Sequence, residues 1–310
     1  MPRRSFALVL LIIVAGFAGW LLLRPRPQAH SVAHRYVSTN RISAAAPTPL
    51  TPPTPPSVTP PPTATPVETP LPSPLASVSP SGTGNANGPE LALIVDDCGQ
   101  WIATERAFVA LGIPLTLSVL PDVPYTSVIA TEASGAGKGV MLHLPMETLS
   151  GLNPGPGKVT TEMSDSQIVA QVQDDLADVP LARGVNNHEG SKASADPRVM
   201  RAVIGVLAQH DLFFVDSRTN SASVGEQTAR DLGVPTAARD VFLDNRADVA
   251  YTEAQLSEAA AIAVHNGSAI AIGHPRPTTL AAVKAMIPKL QAMGVRFVLA
   301  QDLVGKESSQ

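Results

Sequence analysis

The chain has 310 residues, a length that allows one large domain with extensions. The first 67 residues hold six Arg and no acidic residue, so the remainder carries 16 Lys and Arg against 26 Asp and Glu, a formal charge of −10 that argues against nucleic acid as a partner. A single cysteine, Cys98, excludes an internal disulfide.

An apolar segment lies close to the N-terminus. Residues Phe6 to Leu23 form 18 positions without a charge, flanked by arginines on both sides, which is about the minimum length of a membrane-spanning helix. A long signal peptide is the alternative, but Arg24-Pro25-Arg26-Pro27 makes a poor cleavage site. We therefore predict that residues 1–27 are an uncleaved single-pass membrane anchor, whose orientation the flanking charges leave open.

Residues 28–88 are dominated by Pro, Thr, Ser and Ala. The stretch from Pro47 to Pro80 contains 14 prolines in 34 positions. Such a composition cannot form a hydrophobic core, so we predict a disordered linker, which acts either as an extended tether or only as a tail.

The folded domain is predicted to span residues 89–305, where short apolar runs alternate with amphipathic stretches. The predicted strands are Leu91 to Val95, Leu115 to Leu120, Val140 to Leu144, Arg183 to Val185, Leu212 to Val215, Val241 to Leu243, Ala269 to Ile272 and Arg296 to Leu299. Helix-start signals lie between them, since Ser164 with Gln167 forms a capping box and Asp196 precedes Pro197. This alternation predicts a parallel α/β fold, either a closed or partly closed barrel or an open doubly wound sheet.

Polar residues follow the predicted strands at their carboxyl ends. No predicted strand leads into a Gly-x-Gly-x-x-Gly turn or a phosphate loop, which argues against dinucleotide and nucleoside triphosphate binding. The residues found there instead are Asp96, Asp97, His143, Asn186, Asn187, His188, Asp216, Ser217, Arg218, Asp244, Asn245 and His274. In barrels and in open α/β sheets, this edge is where ligands and catalysis gather.

The adjacent carboxylates Asp96 and Asp97 are the most informative pair. Like charges this close disfavour each other's ionisation, and a bound cation relieves that repulsion. The alternative is that one Asp caps the helix beginning near Trp101 and the other is solvated. Three histidines and several acids at one edge suit a divalent metal of the zinc type, bound through nitrogen and oxygen atoms.

Six segments together resemble a known family. They are 94–99 (IVDDCG), 143–147 (HLPME), 184–191 (GVNNHEGS), 214–219 (FVDSRT), 239–245 (RDVFLDN) and 271–275 (AIGHP). The series is similar to the divergent polysaccharide deacetylases over roughly Pro89 to Val304. This resemblance implies a partly closed (β/α) barrel of about seven strands, related to carbohydrate esterases that remove N- or O-acetyl groups from cell-wall glycans.

The resemblance also implies roles for individual residues. It makes Asp96 the catalytic base, Asp97 a metal ligand and His274 the general acid. Relatives carry two histidines in a His-x-x-x-His motif, where this chain has His143 and Glu147. We therefore expect the metal ligands to be Asp97, His143 and His188, with Glu147 as a further candidate. The residues expected to orient the substrate or the ligands are Asn187, Ser191, Asp216, Arg218 and Asp244.

The function expected from these residues is a metal-dependent hydrolase that removes acetyl groups from an envelope polysaccharide or peptidoglycan, with Zn²⁺ as the cofactor. We expect the folded domain in the periplasm, held at the inner membrane by the N-terminal helix. Two alternatives stay open, a catalytically inactive glycan-binding module and a structural envelope protein that docks on another protein. The sequence does not give the oligomeric state.

Overall fold

The computed structural model describes residues 88–305. The predicted anchor at residues 1–27 and the predicted linker up to residue 87 lie outside this part of the chain. Within the described residues, no helix combines the length and the apolar character that crossing a membrane requires.

Strands and helices alternate along the described residues. The strands are β1 (Glu90–Cys98), β2 (Thr116–Val119), β3 (Gly139–Met146), β4 (Gly184–Glu189), β5 (Phe213–Asp216), β6 (Thr236–Ala238), β7 (Val241–Phe242), β8 (Ser268–Gly273) and β9 (Arg296–Val298). The helices are α1 (Ile102–Val109), α2 (Thr126–Gly135), α3 (Asp165–Asp178), α4 (Pro197–Gln209), α5 (Gly225–Asp231), α6 (Val249–Asn266) and α7 (Pro277–Ala292).

The strands form one parallel sheet in the order β6-β5-β4-β3-β2-β1-β8-β7, and β9 pairs with the start of β1. Each of the eight predicted strands overlaps a strand of this sheet, which confirms the parallel α/β fold. The sheet has more strands than the seven or so expected. The strand absent from the prediction is β6, whose sequence Thr236-Ala237-Ala238 carries no large apolar residue and hence no strand signal.

The two edges of the sheet, β6 and β7, are consecutive in the chain. Only Arg239 and Asp240 separate them, so the edges lie within three Cα steps of each other, about 11 Å at most. Arg239 N donates to the carbonyl of Asp216 at the end of β5, and Asp240 N donates to the carbonyl of Ile270 in β8. These two residues bridge the gap, and the sheet is curled into a partly closed barrel.

Side chains alternate between the two faces of each strand, as the pleat requires. In β1, Leu91, Leu93 and Val95 belong to a large core shared with the helices, whereas Ala92 and Ile94 belong to a smaller core inside the barrel. Other members of the inner core are Met141, Phe213, Val215, Ile270, Ile272 and Val298. Each strand position therefore faces either the helix layer or the barrel interior, and this assignment decides which polar residues reach the barrel mouth.

The predicted helix starts are confirmed. Ser164 accepts a hydrogen bond from Gln167 N while the Gln167 side chain accepts one from Ser164 N, which completes the capping box of α3. Asp196 accepts hydrogen bonds from the second and third residues of α4. The left-handed Gly267, with φ of 87°, ends α6 one residue before β8 begins.

Substitution of Gly184, the first residue of β4, tests the packing inside the barrel. A Cβ at Gly184 would clash with the ring of Phe213 on the neighbouring strand, so Gly184→Ala should lower the free energy of unfolding by about 1–3 kcal/mol. Gly205, inside α4, has nothing within 4 Å of the position that a Cβ would take. Gly205→Ala should therefore raise the free energy of unfolding by about 0.5–1 kcal/mol. Urea unfolding of the purified variants measures both values, and a shift of the same sign in the two would contradict this packing.

Candidate metal centre and active site

On the inner face of the barrel, polar side chains follow the apolar ones toward the carboxyl ends of the strands. Asp96 comes two positions after Ile94 in β1, and His143 comes two positions after Met141 in β3. Strand pairing sets Asn186 of β4 beside His143 and sets His188 two positions further on. Because paired residues of neighbouring strands point to the same face, these side chains meet at the mouth of the barrel.

A bulge in β1 brings the second carboxylate to the same side. The register of β1 against β2 shifts between Val95 and Cys98, and Asp97 within this shift has φ of 55°. This is the left-handed region, which residues other than glycine rarely adopt. Neighbours in a regular strand point to opposite faces, yet Asp96 Oδ2 lies 3.5 Å from His143 Nε2 and Asp97 Oδ1 lies 3.3 Å from it. The bulge therefore lets both acids face one site.

Three of the gathered side chains form a candidate metal centre. Asp97 Oδ1, His143 Nε2 and His188 Nδ1 all lie within 4.8 Å of one another. The carboxylate oxygen is 2.8 Å from His188 Nδ1, and the two ring nitrogens are 3.1 Å apart. The structure thus brings together the three residues that the sequence suggested as ligands.

The chemistry of these three atoms fits a divalent cation. Asp97 Oδ1 is buried and makes no hydrogen bond, even though both imidazoles are close. Leaving a buried oxygen unpaired costs free energy, which a bound cation would recover. Burial by itself raises the pKa of the Asp97 carboxyl, but the two imidazoles hold that pKa well below its usual range, so the oxygen is ionised. One carboxylate and two imidazoles are a ligand set that zinc uses in proteins.

Asn186 orients both sides of this centre. Its Nδ2 donates to Asp96 Oδ1 at 2.9 Å, which turns its Oδ1 toward His143 Nδ1 at 2.8 Å. His143 therefore carries its proton on Nδ1 and keeps the Nε2 lone pair for the centre. Ser118 of β2 also donates to Asn186 Oδ1, and Asn186 Nδ2 lies 3.3 Å from Ser217 Oγ. Every hydrogen-bonding position of this fully buried amide is filled.

Asp96 lies deeper than Asp97 and has a different electrostatic environment. It is 2% exposed, and burial raises the pKa of its carboxyl, an effect that the nearby imidazoles and Asn186 offset only in part. Asp97 is close to two imidazoles and has a lowered pKa. The two neighbouring acids thus have pKa values pushed in opposite directions, which is the pattern of one proton acceptor beside one permanent anion.

A second histidine–carboxylate pair stands across the barrel mouth. His274, just after β8, places Nδ1 2.8 Å from Asp244 Oδ1 and Nε2 3.8 Å from Asp97 Oδ2. Asp244 is buried and also accepts hydrogen bonds from His274 N and from Thr279 Oγ1. Burial opposes charge on the imidazole, but Asp244 and the Asp96–Asp97 pair outweigh it and raise the pKa of His274 to about 9. His274 is therefore protonated at neutral pH, with Nε2–H pointing toward the centre.

A cleft leads to these residues from outside. Its volume is about 330 Å³, and its wall includes Asp97 and His188. The rest of the lining comes from Gln100, Leu120, Pro121, Val123, Pro145 and the loop Asn153, Pro154, Gly155 and Pro156. The cleft thus combines apolar side chains with the polar groups of Asp97, Gln100, Asn153 and His188, and a mixed lining of this kind can bind and orient a small molecule.

Comparison with protein families matches residues 93–304 to the family described as divergent polysaccharide deacetylase. The chain belongs to the divergent polysaccharide deacetylase family. This match covers nearly all of the described residues and confirms the resemblance seen in the six sequence segments.

Individual proteins are similar to this chain over most of its described residues. An uncharacterized protein of Haemophilus influenzae is 35% identical over 201 residues, which cover 65% of this chain and 72% of that protein. The uncharacterized protein YibQ of Escherichia coli is 35% identical over 217 residues, which cover 70% of this chain and 68% of that protein. A crystal structure of an uncharacterized protein from Agrobacterium tumefaciens C58 shares the fold, with a TM-score of 0.67 and 22% identity over 71% of this chain and 90% of that one.

Glu147 does not join the centre of this family member. Its Oε1 lies 2.7 Å from Lys192 Nζ, and its Oε2 accepts hydrogen bonds from the backbone and the hydroxyl of Thr161. These partners outweigh burial and lower the pKa of Glu147 to about 2. The physical reason is the strand, because His143 lies within β3 and four residue steps along an extended chain separate the two Cα atoms by about 13 Å. Glu147 thus lies outside the cluster of Asp97, His143 and His188, although the sequence suggested it as a further candidate ligand.

Four residues expected to orient the substrate or the ligands have other partners. Asn187 faces the helix layer, where it binds Glu189 O, Thr219 Oγ1 and Ser217 N. Asp216 accepts from Arg218 N, Ser223 Oγ and Glu226 N, so it holds the turn before α5. Arg218 pairs with Glu226, and Ser191 Oγ accepts from Leu149 N. Of the five residues in that group, Asp244 alone contacts a residue of the barrel mouth.

The helix after the acidic pair is capped by neither Asp96 nor Asp97. Glu105 lies within α1, and its Oε1 accepts hydrogen bonds from the backbone N–H groups of Gly99, Gln100 and Trp101. This contact decides against the helix-cap interpretation of the pair. The sequence placed Asn186 at the strand edge without giving it a role, and it did not name Glu105, Ser118 or Thr279, which also support site residues. The signal for Asn186 was its position two residues before His188, on the same face of the strand.

The neighbours Asn186 and Asn187 provide a matched test of the inner face. Asn186→Ala would leave His143 Nδ1 and Asp96 Oδ1 without their partner, so we expect zinc affinity to fall about 10–100-fold. Asn187→Ala removes three hydrogen bonds on the opposite face, one of them fully buried. It should lower the stability by about 1–3 kcal/mol and leave zinc affinity unchanged. Calorimetric zinc titration of both variants measures the difference, and equal losses would contradict the face assignment.

Proposed function

We propose that this chain is a metal-dependent hydrolase that removes acetyl groups from an envelope polysaccharide or from peptidoglycan. The observation that carries the proposal is the convergence of Asp97, His143 and His188 on one point, with Asp96 and His274 beside it at the end of a cleft. The family assignment supports an acetylated glycan as the substrate class.

Zinc is the metal that we propose for the centre. As Lewis bases, two imidazole nitrogens and one carboxylate oxygen are harder ligands than thiolates. They are softer than the all-oxygen ligand sets that magnesium and calcium prefer. When bound, such an ion supplies a Lewis acid for a carbonyl oxygen and lowers the pKa of a water toward neutrality. Asp97, His143 and His188 would hold it, and Asn186 keeps the His143 lone pair available.

Asp96 is the proposed base. Its oxygens lie close to the centre, and burial raises the pKa of its carboxyl so that it accepts a proton more readily than a solvated Asp does. The hydrogen bond from Asn186 Nδ2 fixes the orientation of the carboxylate. Asp96 would take the proton of the attacking water as the carbon–oxygen bond to the acetyl carbonyl forms.

His274 is the proposed acid. It holds a proton at neutral pH, and Asp244 fixes the ring through Nδ1 so that Nε2–H faces the centre. The collapse of the tetrahedral adduct expels an amine or a hydroxyl of the sugar, and Nε2–H would supply the proton that this leaving group needs. Asp244 stays ionised, because its hydrogen bonds with His274 and Thr279 outweigh burial and lower its pKa.

The proposal is tested by the release of acetate. With zinc present, the purified protein should release acetate from acetylated peptidoglycan fragments or from chito-oligosaccharides. Asp96→Asn should lower kcat about 10²–10⁴-fold because it removes the base while the three ligands remain. Coupled acetate assays on zinc-loaded protein provide the measurement.

Asp216→Asn is the matched control for Asp96→Asn. Asp216 is also a buried Asp at the carboxyl end of a strand, but its hydrogen bonds lie in the turn before α5. Its kcat should stay within about twofold of the wild-type value. Zinc-loaded wild type that releases no acetate from any of these glycans would contradict the enzyme and favour the glycan-binding or structural alternatives.

A further inference from the structure

Glu105 is a fully buried carboxylate behind the acidic pair, and neither the metal centre nor the proposed reaction uses it. Its Oε1 accepts three backbone hydrogen bonds, from Gly99 N at 3.0 Å, Gln100 N at 3.0 Å and Trp101 N at 2.6 Å. Its Oε2 is buried without a hydrogen-bond partner. A buried carboxylate with one oxygen unpaired is costly, so its role in this turn needs an explanation.

The turn that Glu105 binds begins two residues after Asp97. Gly99 has φ of 108°, and a Cβ at this position would meet Val123 Cγ2 at 2.7 Å, so the chain turns here against the loop before α2. Trp101 occupies the N-cap position of α1 but forms no side-chain cap. Three adjacent N–H groups therefore need an acceptor close to the metal centre.

Asp97, two residues before Gly99, is a competing acceptor. An Asp side chain readily accepts a hydrogen bond from the N–H two residues ahead, which here is the N–H of Gly99. Asp also ranks among the preferred residues for capping the start of a helix. If these N–H groups were free, they would attract the Asp97 carboxylate away from the histidines. Glu105 occupies all three donors, and Asp97 Oδ1 faces His143 and His188 instead.

We propose that Glu105 is a positioning residue, which holds the Asp97 carboxylate in its metal-binding orientation by occupying the three N–H groups that would otherwise draw it into a turn. The inference rests on the metal centre of the proposed function. It assigns to Glu105 a role that its capping of α1 alone would not require, because a helix cap has no effect on metal affinity.

The test compares two variants, each of which loses a side chain that caps the start of a helix. Glu105→Ala frees three N–H groups beside Asp97, and Asp196→Ala frees two N–H groups at the start of α4. Crystal structures of both metal-free variants show the direction of the Asp97 side chain. Zinc titration by calorimetry and the visible absorption spectrum of the cobalt-loaded protein report on the ligands. In Glu105→Ala we expect Asp97 turned toward Gly99 N, zinc affinity about 10-fold weaker or more, and a changed cobalt spectrum.

Two conservative variants keep the test decisive if Glu105→Ala does not fold. Glu105→Gln retains an oxygen at the Oε1 position and should bind zinc within about threefold of wild type. Glu105→Asp retains the charge but withdraws the carboxylate by one methylene, so it should lose affinity as the Ala variant does. Asp196→Ala should match wild type in zinc affinity, in the cobalt spectrum and in the position of Asp97.

Wild-type zinc affinity in both Glu105→Ala and Glu105→Asp would overturn the inference, as would an Asp97 side chain that still faces the histidines in their crystal structures. Loss of affinity in Asp196→Ala equal to that in Glu105→Ala would also overturn it, because the effect would then follow from lost helix caps in general. A wild-type protein that binds zinc but releases no acetate would contradict the proposed function, while the structures and affinities of these variants would still decide the role of Glu105.

Discussion

The site depends on the alternation of side chains along curled parallel strands, interrupted at one bulge. Alternation sends Asp96, His143, Asn186 and His188 to the inside of the barrel and sends their immediate neighbours to the helix layer. The bulge at Asp97 breaks this rule once, so two consecutive carboxylates face the same histidine. Without that irregularity, the second carboxylate would point away from the barrel mouth.

The electrostatic arrangement follows from this placement. Two carboxylates and three imidazoles lie together in a barrel mouth that is largely shielded from water. Burial raises the pKa of Asp96, and close imidazoles lower that of Asp97. In the second histidine–carboxylate pair, His274 beside Asp244 has a raised pKa and carries a proton on the far side of the centre. The two adjacent Asp residues, the proposed base and the proposed metal ligand, thus differ through their surroundings rather than through residue type.

The sequence predicted the parallel α/β fold and the main members of the site for one reason. Parallel strands end at one edge, so polar residues after successive apolar runs must lie near each other, as Asp97, His143 and His188 do. It did not predict which of two adjacent polar residues faces inward, because strand register and starting face are set by tertiary pairing. Asn187 was therefore favoured where Asn186 is the inward residue.

Two further differences between the sequence-based expectations and the structure concern Glu147 and Glu105. The His143–Glu147 spacing matches a motif of relatives, but an extended strand holds these residues far apart and Lys192 pairs with Glu147. Glu105 lies in the first turn of α1 and reaches back four to six residues to the turn after Asp97, so it does not follow a strand and gives no signal at the sheet edge. The pairing of Glu147 with Lys192 joins residues 45 positions apart, and such a tertiary contact leaves no periodic signal in the sequence.

The most direct measurement of the central claim is a crystal structure of the zinc-loaded protein with anomalous diffraction data collected on both sides of the zinc absorption edge. We expect one zinc peak within about 2.0–2.2 Å of Asp97 Oδ1, His143 Nε2 and His188 Nδ1, with Glu147 still paired to Lys192. A zinc peak held by other residues, or no peak at the barrel mouth, would contradict it.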